Sequence, residues 1–295
     1  MLVSNSSGFI WIFLTALTNV LNDSIAKFFL SHQKMGVINL LFVRFAISSL
    51  RSLPSLIRRP QVCKSSYFGL HALRGVLFTL AMVGWSYSIV DLSLNFLTLI
   101  SLTIPVLVLL LTPFFLGENR HLTYIVLTLG GMMGVALNFI HTCRTDIAYW
   151  PMILALSAML LFVALDILNK YLLQRQESTD TMMVTSSLWS CVLLCPFAIY
   201  FWQTPTVEQF LLLVIISLAG DLFFYAWLKA LQKYPMSFVQ PLRNIEFLFS
   251  CVFSFVVSRR LPTISETVCC VFVVLTTLLI SSGKDSVQKG SGFIG

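Results

Sequence analysis

Ten apolar stretches, each about as long as the ~20 residues that one membrane-spanning helix needs, follow one another along the chain. They cover residues 8–30, 37–57, 67–89, 94–116, 121–140, 147–173, 181–201, 208–231, 237–257 and 263–282. The separators are short and carry turn or charged residues, such as Arg58-Arg59-Pro60, Gly117-Glu118-Asn119-Arg120 and Arg259-Arg260-Leu261-Pro262. Only 11% of the 295 residues are charged, against roughly 25% in soluble domains. The expected fold class is an all-α integral membrane protein of ten transmembrane helices, with nothing left over for a soluble domain. Residues 1–9 lack a basic start, and the first apolar run continues into Asn22 and Asp23, so it reads as a first span and not as a cleaved signal peptide.

Inside these runs one short phrase occurs twice: Asp23-Ser24-Ile25-Ala26-Lys27-Phe28 and Asp166-Ile167-Leu168-Asn169-Lys170-Tyr171. Both acids and both lysines are separated by 143 positions, and Trp85 and Trp227 by 142. The repeat divides the chain into a first five-helix unit, 1–143, a second, 144–283, and a flexible cytoplasmic tail, 284–295. Five is odd, so the second unit enters the membrane from the opposite side. Inverted repeats of this kind place a substrate site at their interface, near the bilayer midplane. With the N-terminus inside, the cytoplasmic segments hold Arg58, Arg59, Lys64, Arg120, Arg175, Lys233, Lys284 and Lys289, while the outer ones hold Lys34, Arg144, Arg259 and Arg260. That excess favours cytoplasmic termini.

Several function classes are disfavoured. The net charge of +7 is dispersed, so it reads as topology signal and no nucleic-acid partner is expected. The seven cysteines show no metal spacing, and Cys191, Cys195, Cys251, Cys269 and Cys270 lie in apolar runs as small hydrophobes. No metal site, cofactor or catalytic residue is expected. No G-x-x-x-x-G-K-[ST] phosphate loop is present, so ATP would have to be hydrolysed by a separate subunit.

A charge at the centre of a spanning helix costs about 2.5–3.5 kcal/mol, which makes each one a candidate for function. Asp23 and Lys27, like Asp166 and Lys170, are four apart, on one helix face and able to touch. They form either self-neutralised pairs or, with Asn19 and Asn169 alongside, the wall of a wet cavity. Arg44 and Arg74 lie about seven residues into their runs, where snorkelling and substrate contact are equally open. Arg243 and Glu246 follow Pro241, which lacks a backbone donor and is expected to break span 9 beside them. Lys229 and Asp221 on span 8 carry less weight. Trp85, Tyr87, Tyr225 and Trp227 read as interface belts or as stacking partners for a planar base. His141 and Asp146 match an H-x-x-x-x-D pattern of some acyltransferases, which keeps open an integral-membrane enzyme using His141 as base.

These features resemble the drug/metabolite transporter superfamily with its paired EamA-type repeats, Gly117-Glu118 closing the fourth span. More narrowly, Asn22-Asp23 with Lys27, Phe42-Val43-Arg44-Phe45, Leu73-Arg74-Gly75, Trp85-Ser86-Tyr87, Asp166 to Lys170, Leu228-Lys229-Ala230 and Pro241 to Glu246 are similar to the S-adenosylmethionine transporters of obligate intracellular bacteria. Ser258-Arg259-Arg260 departs from the Gly/Asn-Glu that would repeat at the end of the second unit. The resemblance implies an inner-membrane secondary carrier that imports S-adenosylmethionine, in exchange for S-adenosylhomocysteine, without a cofactor. Lys or Arg side chains would meet the carboxylate, Asp23, Asp166 or Glu246 the cations, and an aromatic side chain the adenine. An amino-acid or other metabolite exporter of the same superfamily is the alternative within that class. Partners expected are the small-molecule substrate and membrane lipid, with the oligomeric state open.

Overall fold

The computed structural model describes residues 3–33, 35–58, 66–92, 97, 100–117, 125, 126, 128–130 and 149–258, with 267, 270, 271, 273–275 and 277. The described helices are α1 (Val3–His32), α2 (Val37–Arg58), α3 (Phe68–Asp91), α4 (Thr103–Phe115), α5 (Tyr149–Gln174), α6 (Thr179–Tyr200), α7 (Val207–Lys233), α8 (Met236–Leu242) and α9 (Ile245–Ser258). Among the described residues, six helices are long and apolar enough to cross a membrane, and α4 is a shorter apolar helix. The chain is therefore an all-helical, multi-pass membrane protein in its described part. Most of the expected fifth and tenth spans, His141, Asp146, Glu118, Arg259, Arg260 and the 284–295 tail lie outside the described residues.

Local sequence sets the helix boundaries. Ser178 accepts the Thr181 N–H at the start of α6, and Thr206 and Gln209 form a reciprocal capping box at the start of α7. The expected ninth span is two helices. Pro241 has no N–H to extend α8, and the backbone turns through i→i+3 bonds, from Arg243 N–H to Gln240 O (3.1 Å) and from Glu246 N–H to Arg243 O (2.8 Å). The break carries Arg243 out of the ladder and restarts α9 with Glu246 in its first turn.

The two halves run in opposite directions. Gln209 at the start of α7 donates to Gln33 O just past the end of α1 (2.9 Å), while Trp11 near the start of α1 meets Tyr225 near the end of α7. Ser88 at the end of α3 donates to Pro151 O at the start of α5 (3.0 Å), and Arg74 near the start of α3 reaches Asn169 near the end of α5 (3.3 Å). Thus α1 is antiparallel to α7 and α3 to α5, each pair joining one half to the other. At Gly75 the α3 backbone sits directly on the Trp189 side chain of α6, and at Gly84 it faces Ala158 of α5. Small residues permit these close approaches, as in membrane helix packing generally. A main core of Ile89, Leu97, Val108, Ala155, Leu172, Leu228 and their neighbours spans both halves.

Candidate functional site

Between α1, α2, α3, α4, α5 and α7, with Arg243 from the α8–α9 break, lies a partly open cavity whose space, open solvent included, is about 760 Å³. Six aromatic rings line it, those of Phe78, Trp85, Phe162, Phe223, Phe224 and Trp227, together with Asp23, Arg44, Asp166, Asn169 and Arg243. A neighbouring chamber of about 410 Å³ shares Asn19, Asp23, Trp85 and Ser101 with it and adds Glu246 and Ser250. An apolar, aromatic space with a few convergent polar groups is the usual form of a small-molecule site.

The repeated phrase builds the same device twice. In the second copy, Trp227 Nε1–H donates to Asp166 Oδ1 (2.8 Å), fixing the acid of α5 against α7. In the first, Trp85 Nε1–H faces Asp23 Oδ2 at 3.4 Å, tying α1 to α3. The lysines are directed elsewhere. Lys27 Nζ donates to Ile89 O (3.2 Å) and Leu92 O (2.6 Å) at the end of α3. Lys170 Nζ donates to Leu231 O and Tyr234 O, both 2.7 Å, at the end of α7. A helix C-terminus presents unpaired carbonyls and the negative end of its dipole, so it draws an ammonium group. Of the two readings left open, the self-neutralised pair is not what these lysine bonds show, since they go to backbone carbonyls. Acid and lysine share a face, yet each clamps a different point of the third span of its own repeat, and neither lysine lines the cavity.

The two acids differ in what else surrounds them. Asp166 Oδ2 accepts from Gln240 Nε2 (3.0 Å) and lies 3.4 Å from Arg243 Nη1, so a cation and a buried amide neutralise it. Arg243 also lies 3.5 Å from Glu246 Oε1 and stacks over Trp227, its Cζ 5.1 Å from the ring centre. Glu246 Oε2 accepts from Asn19 Nδ2 of α1 (3.0 Å). Asp23, by contrast, has among the described residues only Asn22 Nδ2 (3.2 Å) and the Trp85 indole as hydrogen-bond donors. No arginine ion pair completes it among the described residues.

The remaining expected site residues divide. Arg44 lines the cavity from α2. Arg74 is fully buried outside it, donating to Met182 O, Thr185 Oγ1 (2.8 Å) and Asn169 Oδ1 (3.3 Å), so it braces α3 against α5 and α6. Tyr87 is 43% exposed on α3, Tyr225 packs edge-on against Trp11, and Lys229 lies over Tyr225 and beside Gln232. None of these three is in either lining. Residues two apart on a helix lie about 200° apart round the axis, so Tyr87 and Tyr225 turn away when Trp85 and Trp227 face inward.

Phe78, Phe162, Phe223, Phe224 and Gln240 were not singled out in the sequence. Helical spacing was the available signal: 78-82-85, 162-166-169 and 220-223-227 each mark one inward stripe. Among the described residues no group of three or more His, Cys, Asp or Glu could hold a metal.

The EamA-like transporter family matches this chain twice, over residues 6–140 and 149–282. A protein of Rickettsia bellii (strain RML369-C), described as an S-adenosylmethionine uptake transporter, is 28% identical over 96% of this chain and 97% of its own. One from Rickettsia conorii (strain ATCC VR-613 / Malish 7), with the same description, is 27% identical over 96% and 95%. A solved crystal structure shares the fold with a TM-score of 0.73 at 15% identity, over 92% of this chain and 93% of that one.

Proposed function

The chain belongs to the EamA-like transporter family, and on that premise we propose that it is a secondary-active carrier of S-adenosylmethionine, exchanging it for S-adenosylhomocysteine across a bacterial inner membrane. Two inverted five-helix units, ten spans in all with cytoplasmic termini, rock about the cavity to open it to either side in turn. The family is one of transporters and not of enzymes, so His141 and Asp146 take no catalytic role.

The observation that carries the substrate reading is the character of the cavity. Asp23, Asp166 and Glu246 stand against Arg44 and Arg243, so the two chambers hold one negative charge in excess when all are ionised. A buried charge without a partner is costly, which favours a ligand of net charge +1. S-adenosylmethionine has one carboxylate, one ammonium and one sulfonium, and its purine needs aromatic faces such as those of Trp85, Phe162 and Phe224. Asp23, the acid without an arginine, receives the cationic end. Glu246 and Ser250 extend the same polar wall. Asn169 Nδ2, buried and without a partner among the described residues, remains for an acceptor on the ligand. Lys27, Lys170 and Arg74 hold the helices that form the walls. S-adenosylhomocysteine lacks the sulfonium charge, so each exchange moves one positive charge inward. An inside-negative potential drives that by about 2.3 kcal/mol per 100 mV without ATP.

The test is uptake of radiolabelled S-adenosylmethionine into proteoliposomes of the purified full chain. Vesicles preloaded with S-adenosylhomocysteine should take up label faster than empty ones. Equal rates remove the exchange claim, and inhibition by free amino acids but not by S-adenosylhomocysteine would point to an amino-acid exporter instead.

A further inference from the structure

We propose that Arg44 is the carboxylate receptor of the cavity, and that Gly220 makes room for its guanidinium against α7. This rests on the reading of the cavity as a substrate site, and it assigns one moiety of the substrate to one side chain. Arg44 is 5% exposed and lines the larger chamber from α2. Its guanidinium has no hydrogen-bond or ion-pair partner among the described residues, and its one ring contact is Phe45, with Cζ 5.5 Å from the centre. Two other arginines near the core are held by direct partners: Arg74 by a carbonyl, a hydroxyl and an amide, and the half-buried Arg243 by two carboxylates.

The neighbouring acids do not fill the gap. Asp221 follows Gly220 on α7, but its Oδ1 accepts from Ser48 Oγ (2.9 Å) and its Oδ2 is paired with Arg51. Asp221 and Asp23 both act on Arg44 through space, yet neither forms an ion pair with it among the described residues. Ser217 Oγ, held by Ser48 (3.0 Å), donates to Arg44 O (3.2 Å) and so fixes the backbone at the root of the side chain. The root is anchored, the nearest acid is paired elsewhere, and the guanidinium borders a space lined by the substrate groups. A buried cation with acids only at longer range and no direct partner gains from an arriving anion, and a planar fork suits a carboxylate above other groups.

Gly220 gives the second, independent observation. A Cβ there would collide with Nη2, Cζ and Nε of Arg44 together, so the guanidinium is seated on bare backbone. Any side chain at 220 must push it out of register.

The experiment is a binding titration of the purified full chain, wild type, Arg44→Gln and Gly220→Ala, against S-adenosylmethionine, S-adenosylhomocysteine and the decarboxylated form of S-adenosylmethionine. Both variants should lose about ten- to a hundredfold in affinity for the two carboxylate ligands, and stay within about threefold of wild type for the decarboxylated one. Equal losses for all three, or none, overturn the assignment while leaving the substrate reading intact. If the wild-type chain binds none of the three, the substrate reading falls. The same comparison with methionine and its decarboxylated amine then decides on Arg44: a loss confined to the acid supports it, and equal or absent binding overturns it.

Discussion

Replacing Lys170 by Met separates a helix clamp from a ligand contact. Lys170 is 9% exposed and gives two short bonds, 2.7 Å each, to Leu231 O and Tyr234 O at the end of α7. A hydrogen bond to a charged group contributes about 1.5–3 kcal/mol, so two of them set an upper figure of about 6 kcal/mol. Removing the ammonium also removes its own burial penalty, which leaves a net loss of about 2–4 kcal/mol. For chains of this size each kcal/mol shifts Tm by roughly 2–4 °C, so detergent-purified K170M should unfold about 5–15 °C lower than wild type. Lys27 makes the equivalent bonds at 3.2 and 2.6 Å from a half-buried position, where water replaces part of what is lost. K27M should therefore shift Tm by about half as much. The assay is thermal unfolding of the full chain beside a titration with S-adenosylmethionine at a temperature where both variants are folded. Affinity should stay within about threefold of wild type, because neither lysine lines the cavity. An unchanged Tm with affinity lost tenfold or more would refute the clamp and return the lysine to the ligand.

Other perturbations follow from the same geometry. Asp23→Asn and Glu246→Gln should each lower S-adenosylmethionine transport about tenfold or more while leaving folded protein in the membrane, and full exchange in both would remove the acidic wall from the site. Gly75→Ala places a Cβ against the Trp189 side chain; overpacking of that kind should cost about 1–3 kcal/mol and show as a lower Tm, with an unchanged Tm contradicting the tight α3–α6 contact. Imposing about 100 mV, inside negative, on the proteoliposomes should raise the equilibrium accumulation of S-adenosylmethionine over S-adenosylhomocysteine about 50-fold, and indifference to potential would mean that the exchange is electroneutral.

How much of this was visible in the sequence depends on how local the signal was. Six long apolar runs became six long helices because length and composition alone specify such an element. Pro241 announced the break before Arg243, since a missing N–H acts at its own position. The doubled Asp/Lys phrase announced two related halves, but not the destination of its lysines. Spacing of four tells which residues share a face, whereas the carbonyls that hold Lys27 and Lys170 belong to helices about 60 residues further on. Arg44 and Arg74 looked alike at similar depths in their runs. Only packing separates them, since Thr185 and Met182 of α6 accept from Arg74 while Asp221 is ion-paired with Arg51 and not with Arg44. Gly220 and Gly75 carry no signal of their own; their meaning lies in the side chain that sits on them. Tyr87 and Tyr225 were attractive because they stand beside tryptophans, and the helical angle between positions two apart explains why they point elsewhere.

The most direct measurement is an experimentally determined structure of the full chain with S-adenosylmethionine bound. The account predicts the ligand between the two halves, its purine among the cavity aromatics, its carboxylate on Arg44 and its cationic end toward Asp23. Ligand density outside this cavity, or a carboxylate held by Lys27 or Lys170 in place of Arg44, would contradict it.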